Sequence, residues 1–178
     1  MKILLTGSEG FVGRYFDKAL SADHFVVRID KRRNMTCQQF FASPMSDYPF
    51  DMVIHCAAMV GGRAKIDGDP LAIAENLAID SDMFRWVIRR KIPRVVYFSS
   101  SAAYPTWMQA NVSDRMRLWE GDIRFGGIDV GIPDQTYGWA KLTGELLAQH
   151  AAASGSRVHI FRPFSGYGED QDLDYPFP

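Results

Sequence analysis

Apolar residues gather in five short runs, at 2–5, 25–29, 52–56, 95–98 and 158–161. None alternates strictly between apolar and polar. Runs of this kind fit strands buried on both faces, as in a parallel sheet. Between them the spacing becomes helical. Phe11, Val12, Tyr15, Phe16, Ala19 and Leu20 make one stripe. A second helix is predicted from Pro70, with Ala74, Leu77, Phe84, Val87 and Ile88 toward the sheet. A third is predicted over 135–153, with Asp134 at its cap and Gly155 just past its end. Strand and helix in alternation predict an α/β fold, a Rossmann-type doubly wound parallel sheet.

Two stretches fit neither a strand nor a long helix. One is 104–133, which holds Trp107, Trp119 and four glycines. A connection that long inside a compact domain is usually functional. The other is 166–178, rich in Asp, Pro and Tyr.

At 178 residues the expectation is a single domain with a sizeable core. The net charge of −1 gives no reason to expect nucleic acid or an anionic membrane as partner. Cys37 and Cys56 make no disulfide framework and stand in no metal-ligand spacing, so no metal is expected. The first apolar run is too short for a signal peptide, and no stretch is long enough to span a membrane. A cytoplasmic location is the expectation.

The first run leads into Thr6-Gly7-Ser8-Glu9-Gly10-Phe11-Val12-Gly13. A strand, a glycine turn and a helix in that order suit a dinucleotide. Gly7 permits the tight turn, Gly10 a close approach of pyrophosphate, and Gly13 close packing of helix on sheet. The amides of the helix N-terminus then face phosphate. The plainer reading is a structural turn. Asp30 closes the second run, 20 residues after Gly10, where a carboxylate can accept from ribose hydroxyls and favour NAD. Lys31, Arg32 and Arg33 follow, and either bind the 2′-phosphate of NADP or form a solvated turn.

Tyr137 and Lys141 stand at i and i+4 on the third helix and share a face. An ammonium beside a phenol favours the phenolate, so Lys141 is expected to lower the Tyr137 pKa. A tyrosine so tuned can take a proton from a sugar hydroxyl. The plainer reading is an amphipathic helix with a core tyrosine and an exposed lysine. Ser99, Ser100 and Ser101 follow the fourth run, at the strand end where open α/β sheets bind ligands.

With these motifs the chain resembles the extended short-chain dehydrogenase/reductases, the NAD-dependent epimerase/dehydratase family of nucleotide-sugar enzymes. The resemblance covers nearly the whole chain. It rests on 6–13, Asp51-Met52-Val53-Ile54-His55-Cys56-Ala57-Ala58, Asn76-Leu77, 95–104, 137–145 and Arg162-Pro163-Phe164-Ser165-Gly166-Tyr167-Gly168. It implies Ser100, Tyr137 and Lys141 as catalytic residues, Ser100 being four residues before Tyr104. It implies a cofactor site of Gly7, Gly10, Phe11, Val12, Gly13, Asp30, Lys31, Ala57, Ala58, Asn76, Ser99, Tyr137, Lys141 and Pro163. For the substrate it implies Val60, Gly61, Ser100, Ser101, Tyr137 and Ser165.

Departures from the family narrow the reaction. Dehydratase relatives carry Asp-Glu after the catalytic Thr, and here Ser101 and Ala102 stand there. The segments 57–62 and 100–105 look most like the branch of GDP-fucose synthase, GDP-mannose epimerase and UDP-glucose 4-epimerase. That branch's 3,5-epimerases carry a Cys where this chain has Ala102. Ser165 replaces the family's usual Asn. The resemblance therefore implies an NAD(P)-dependent nucleotide-sugar epimerase that oxidises one sugar carbon transiently. The alternatives are a keto-sugar reductase or dehydrogenase, and a non-catalytic dinucleotide sensor. It also implies NAD, with NADP possible, and a homodimer whose four-helix bundle would use Trp86, Ile88, Leu146 and Leu147. The expected division is a dinucleotide-binding domain over 1–165 and the start of a truncated substrate region over 166–178.

Overall fold

The structure, a computed structural model, describes residues 1–61, 68–110, 117–126, 131–169 and 171. Residues 62–67, 170 and 172–178, and part of the 104–133 connection, lie outside the described residues. All five apolar runs are strands: β1 (Lys2–Thr6), β2 (Phe25–Ile29), β3 (Met52–His55), β4 (Arg94–Phe98) and β5 (Arg157–Phe161). They form one parallel sheet in the order β2-β1-β3-β4-β5.

The order reverses between β1 and β3. Right-handed crossovers that run outward in opposite directions put their helices on opposite faces. On one face, α1 (Phe11–Leu20) sets Phe16 and Leu20 against Ile3, Leu5, Val26 and Ile54. On the other, α3 (Ala72–Arg90) and α5 (Gln135–Ala153) pack against each other over Leu4, Val53 and Val95. The crevice at a reversal of strand order, outside the strands' carboxyl ends, is where such sheets take ligands.

Helix α2 (Cys37–Ala42) has no counterpart in the apolar pattern, because six residues are too few to show a period. Its signal is a capping box. Thr36 accepts from the Gln39 amide at 3.2 Å, and the Gln39 side chain accepts from the Thr36 amide at 2.9 Å. The helix delivers Phe40 to Trp86, ring to ring at 6.4 Å. The indole of Trp86 donates to the Ser46 carbonyl at 2.9 Å. Trp86 is therefore core rather than dimer surface, and Leu147 packs on the same core. Of the four residues expected at a dimer face, Ile88 and Leu146 are the exposed ones.

The buried face of α3 is also rotated from the expected one. Ala72, Asn76, Asp80, Met83, Phe84, Trp86 and Val87 are buried, while Ala74 and Ile88 are exposed. Two polar residues occupy the inner face, and a hydrophobic pattern cannot show that. Helix α5 spans the predicted residues. Asp134 holds its N-cap position without a capping bond from the side chain. A short 3-10 turn, Ser101–Ala103, leads into the 104–133 connection, which begins with α4 (Thr106–Ala110). The first residues after 165 fold back onto α1, where the Tyr15 hydroxyl donates to the Glu169 carbonyl at 3.2 Å. Among the described residues no helix is long and apolar enough to cross a membrane.

Candidate active site

The glycine turn joins β1 to α1 at the reversal point. Gly7 has φ of +68°, and a Cβ there would lie 2.7 Å from the Ala57 amide nitrogen beyond β3. A side chain on Gly13 would overlap the Gly7 carbonyl. The protein's own packing explains both. Gly10 is different: a Cβ there would meet the Gly7 carbonyl at 3.2 Å and nothing else within 4 Å. Gly10 is also the N-cap of α1, and no side-chain cap satisfies the helix end. The Ser8 hydroxyl in the same turn is buried with no partner among the described residues. An uncapped helix end, an open glycine and an orphaned hydroxyl together fit a pyrophosphate.

Asp30 closes the turn from the second strand. Its carboxylate accepts from the Glu9 amide at 2.9 Å and from the Arg32 amide at 2.9 Å. Arg32 donates to the Glu9 carbonyl at 3.0 Å, and Arg33 is ion-paired to the Glu9 carboxylate. Two of the three basic residues are thus engaged with Glu9, and Lys31 is exposed.

Beyond β3, the backbone at Ala57 and Ala58 runs beside this turn, and the Ala57 amide donates to the Thr6 hydroxyl at 3.3 Å. Asn76 pins the loop from α3. Its oxygen accepts from the Met59 amide at 2.8 Å, and its nitrogen donates to the Met59 and Ala72 carbonyls, each at 3.0 Å. Its amide is committed to the loop, so any part it has in a cofactor site is through the loop it holds. Val60 is exposed and Gly61 half-buried.

The other half of the site is built on Ala102. Its amide donates to Ser100 Oγ at 3.1 Å, which caps the 3-10 turn. Its carbonyl accepts from the Asp134 amide at 2.9 Å. A side chain at Gly138 would overlap that carbonyl, so the glycine lets α5 seat there. One residue thereby brings Ser100 and the first turn of α5, with Tyr137, to one corner. The Ser101 amide donates to the Pro163 carbonyl at 3.1 Å, which ties in the segment after β5. Ser165 is exposed.

Ser99 points elsewhere. It is buried and donates to Glu145 at 2.5 Å. Glu145 also receives Arg162 in a two-pronged pair, Nε and Nη2 each at 2.8 Å. Sequence reasoning left both Glu145 and Arg162 out of the site. Their signal was faint: an acid one turn after Lys141 on the same face, and an Arg at the end of β5.

Lys141 is buried rather than exposed. Its ammonium lies 3.6 Å from Asp80 Oδ2, an ion pair longer than a hydrogen bond. It stands 5.0 Å from the Tyr97 ring centre and 5.9 Å from that of Tyr137. Burial pushes its proton affinity down, but Asp80 and Tyr137 outweigh that, and the ammonium is held above its ordinary pKa. Tyr137 is raised too. Burial pushes the phenol up, Lys141 pulls it down, and Asp80 pushes it up again. The net direction is opposite to the one the Tyr–Lys spacing predicts. Burial is the main cause, and Asp80, on a different helix and 57 residues before Tyr137 in the chain, adds to it.

The glycine turn, the paired Tyr137 and Lys141 and the sheet order can now be set beside known proteins. The sequence model of the NAD dependent epimerase/dehydratase family matches residues 3–176. The chain belongs to that family. It is 24% identical to GDP-L-colitose synthase of Yersinia pseudotuberculosis, over 98% of this chain and 56% of that protein. It is 25% identical to an L-arabinose 1-dehydrogenase (NAD(P)(+)) of Haloferax volcanii, over 85% of this chain and 61% of that protein. Among solved structures it matches a UDP-N-acetylglucosamine 4-epimerase of Methanobrevibacter ruminantium with a TM-score of 0.74 and 22% identity, covering 99% of this chain and 58% of that one. The epimerase/dehydratase fold is thus shared, and the chain spans about three-fifths of the length of these relatives.

Proposed function

We propose that this chain carries the cofactor and proton-transfer half of a nucleotide-sugar epimerase that works by transient oxidation at one sugar carbon. The observation that carries the reading is the pair of half-buried Tyr137 and buried Lys141 on α5, seated through Ala102 beside Ser100, with the glycine turn at the carboxyl end of the same sheet. When bound, a nicotinamide dinucleotide supplies the hydride acceptor and donor. Gly7, Gly10, Gly13 and the amides of Phe11 and Val12 would hold its pyrophosphate, and Asp30 its adenosine ribose. The loop at Ala57 and Ala58, with Pro163, would border it.

In the cofactor-free chain Tyr137 is held as the neutral phenol. With the positive charge of a bound oxidised nicotinamide added to that of Lys141 it would give up that proton, and its Oη would then take the proton of the sugar hydroxyl and return it. Lys141 supplies the positive charge that steadies the phenolate while the proton is away. Ser100 hydrogen-bonds the same sugar oxygen and orients it. Ser101 and Ala102, next to Ser100, bring neither a carboxylate nor a thiol. That supports exchange at one carbon over loss of water. A dehydrogenase is the second reading, favoured by the name of the Haloferax relative. Net reduction of the cofactor distinguishes it from epimerisation.

The cofactor half has its own test. With Arg32 and Arg33 engaged by Glu9, the site favours NAD over NADP. Asp30→Ala should weaken NAD more than NADP in calorimetric titration. Tighter binding of NADP than NAD by the unsubstituted protein would reverse the assignment and make Arg32 or Arg33 the reader. A homodimer through α3 and α5, with Ile88 and Leu146 at its face, belongs to the same proposal. Sedimentation showing monomer alone at micromolar concentration counts against it.

A further inference from the structure

We infer that Asp80 is a positioning residue of this site: its buried carboxylate anchors Lys141 and holds the Lys141–Tyr137 pair in its doubly protonated form, an ammonium beside a neutral phenol. The inference rests on the placement of Tyr137 and Lys141 in the proposed site. Asp80 lies on the inner face of α3, 1% exposed. Three elements converge on it. From β4, the Tyr97 hydroxyl donates to Oδ2 at 2.5 Å. From β3, His55 Nε2 lies 3.1 Å from Oδ1. From α5 comes Lys141 at 3.6 Å.

The arrangement is built rather than incidental. A side chain at Gly144 on α5 would overlap the Tyr97 hydroxyl and come within 2.8 Å of Asp80 Oδ2. A glycine inside a helix is less favourable than an alanine, so its presence there has a packing reason. His55 is held on both sides, by Asp80 and by the Thr6 hydroxyl at 2.8 Å. With Thr6 donating to Nδ1, the ring donates from Nε2. Burial keeps it neutral.

The charges can then be counted around the pair. Burial holds Tyr97 protonated, well above its ordinary range. The thiols of Cys56, just past β3, and of Cys37 on α2 are each pushed up to about 12 by burial and carry no charge at neutral pH. Glu145, one turn further along α5, is committed to Arg162 and Ser99. Asp80 is left as the carboxylate that balances Lys141 among the described residues. A buried lysine without a partner readily gives up its proton, and the nearby anion prevents this. The same anion opposes a second negative charge on Tyr137. Removing it makes the pair's first proton easier to lose, whichever residue gives it up.

The test uses the protein free of cofactor. The tyrosinate absorbance of Tyr137 is obtained by subtracting the titration of Tyr137→Phe. The Lys141 side chain is followed in parallel by carbon NMR of labelled lysine. The unsubstituted protein should keep both protons beyond the pH at which a free tyrosine titrates. Asp80→Asn should release the first of them at least roughly tenfold more readily, about one pH unit lower. If Asp80→Asn merely melts at a lower temperature and titrates like the parent, the inference is overturned. Should that variant fail to fold, the parent decides alone: loss of either proton more readily than from a free tyrosine or lysine overturns it, and retention of both beyond that point supports it. Neither readout needs a substrate, so an absence of epimerase activity would leave this result standing, and a normal titration in Asp80→Asn would leave the epimerase reading standing.

Discussion

Tyr137→Phe lowers turnover by about a hundredfold to ten-thousandfold while cofactor binding is kept, the range that loss of a general acid–base group produces. The phenol sits in the first turn of α5, and its ring centre is 5.9 Å from the Lys141 ammonium. Phenylalanine preserves the ring and its packing and removes the one atom that carries the proton. The effect belongs in kcat more than in KM, because the proton moves only in the transition state. Ser100→Ala should lower turnover as well. Ser101→Ala should do less, since it is the Ser101 backbone that is engaged, with Pro163. Steady-state kinetics on a verified substrate checks the series, and wild-type turnover in Tyr137→Phe would sink the proposed mechanism.

Glu145→Ala destabilises the fold by about 3–5 kcal/mol, the usual effect of removing one partner of a buried ion pair. Glu145 is fully buried, and its Arg162 partner is 15% exposed in its side chain. The substitution leaves the Arg162 guanidinium short of two hydrogen bonds and the Ser99 hydroxyl short of one. It also uncouples α5 from the end of β5, where Pro163 holds the Ser101 amide. Against a total stability of roughly 5–15 kcal/mol for a domain, that is a large fraction. Urea unfolding measures it. A loss under about 1 kcal/mol would mean the pair is no more than a surface contact.

The sheet was legible in the sequence because its strands leave short apolar runs, most plainly the central β1 and β3, which are buried on both faces. The ends of α5 were legible for a related reason, with Asp134 before it and Gly155 after it. The glycine turn and the Tyr137–Lys141 face were legible because each is a local spacing that chemistry requires. What escaped was set by contacts across long separations. His55 and Tyr97 meet Asp80 from 25 and 17 residues away, and Ser99 meets Glu145 from 46. A polar residue whose partner is that distant looks like a solvated one. Asn76 and Asp80 accordingly rotated the face of α3 that the sequence suggested, while Phe84 and Val87 were placed inward as expected. The expected direction for Tyr137 was reversed because the field of Lys141 was visible in the spacing, while the burial of the phenol and, after it, the field of Asp80 were not.

The central claim is tested most directly by incubating the unsubstituted protein with NAD and a panel of nucleotide sugars, separating sugar epimers by chromatography and watching the absorbance of reduced cofactor. The account predicts that one epimer pair approaches equilibrium from either side with no net accumulation of reduced cofactor. Saturable binding of NAD with no sugar turned over by this chain or by any longer form of the protein would contradict it and favour a dinucleotide sensor on the same scaffold.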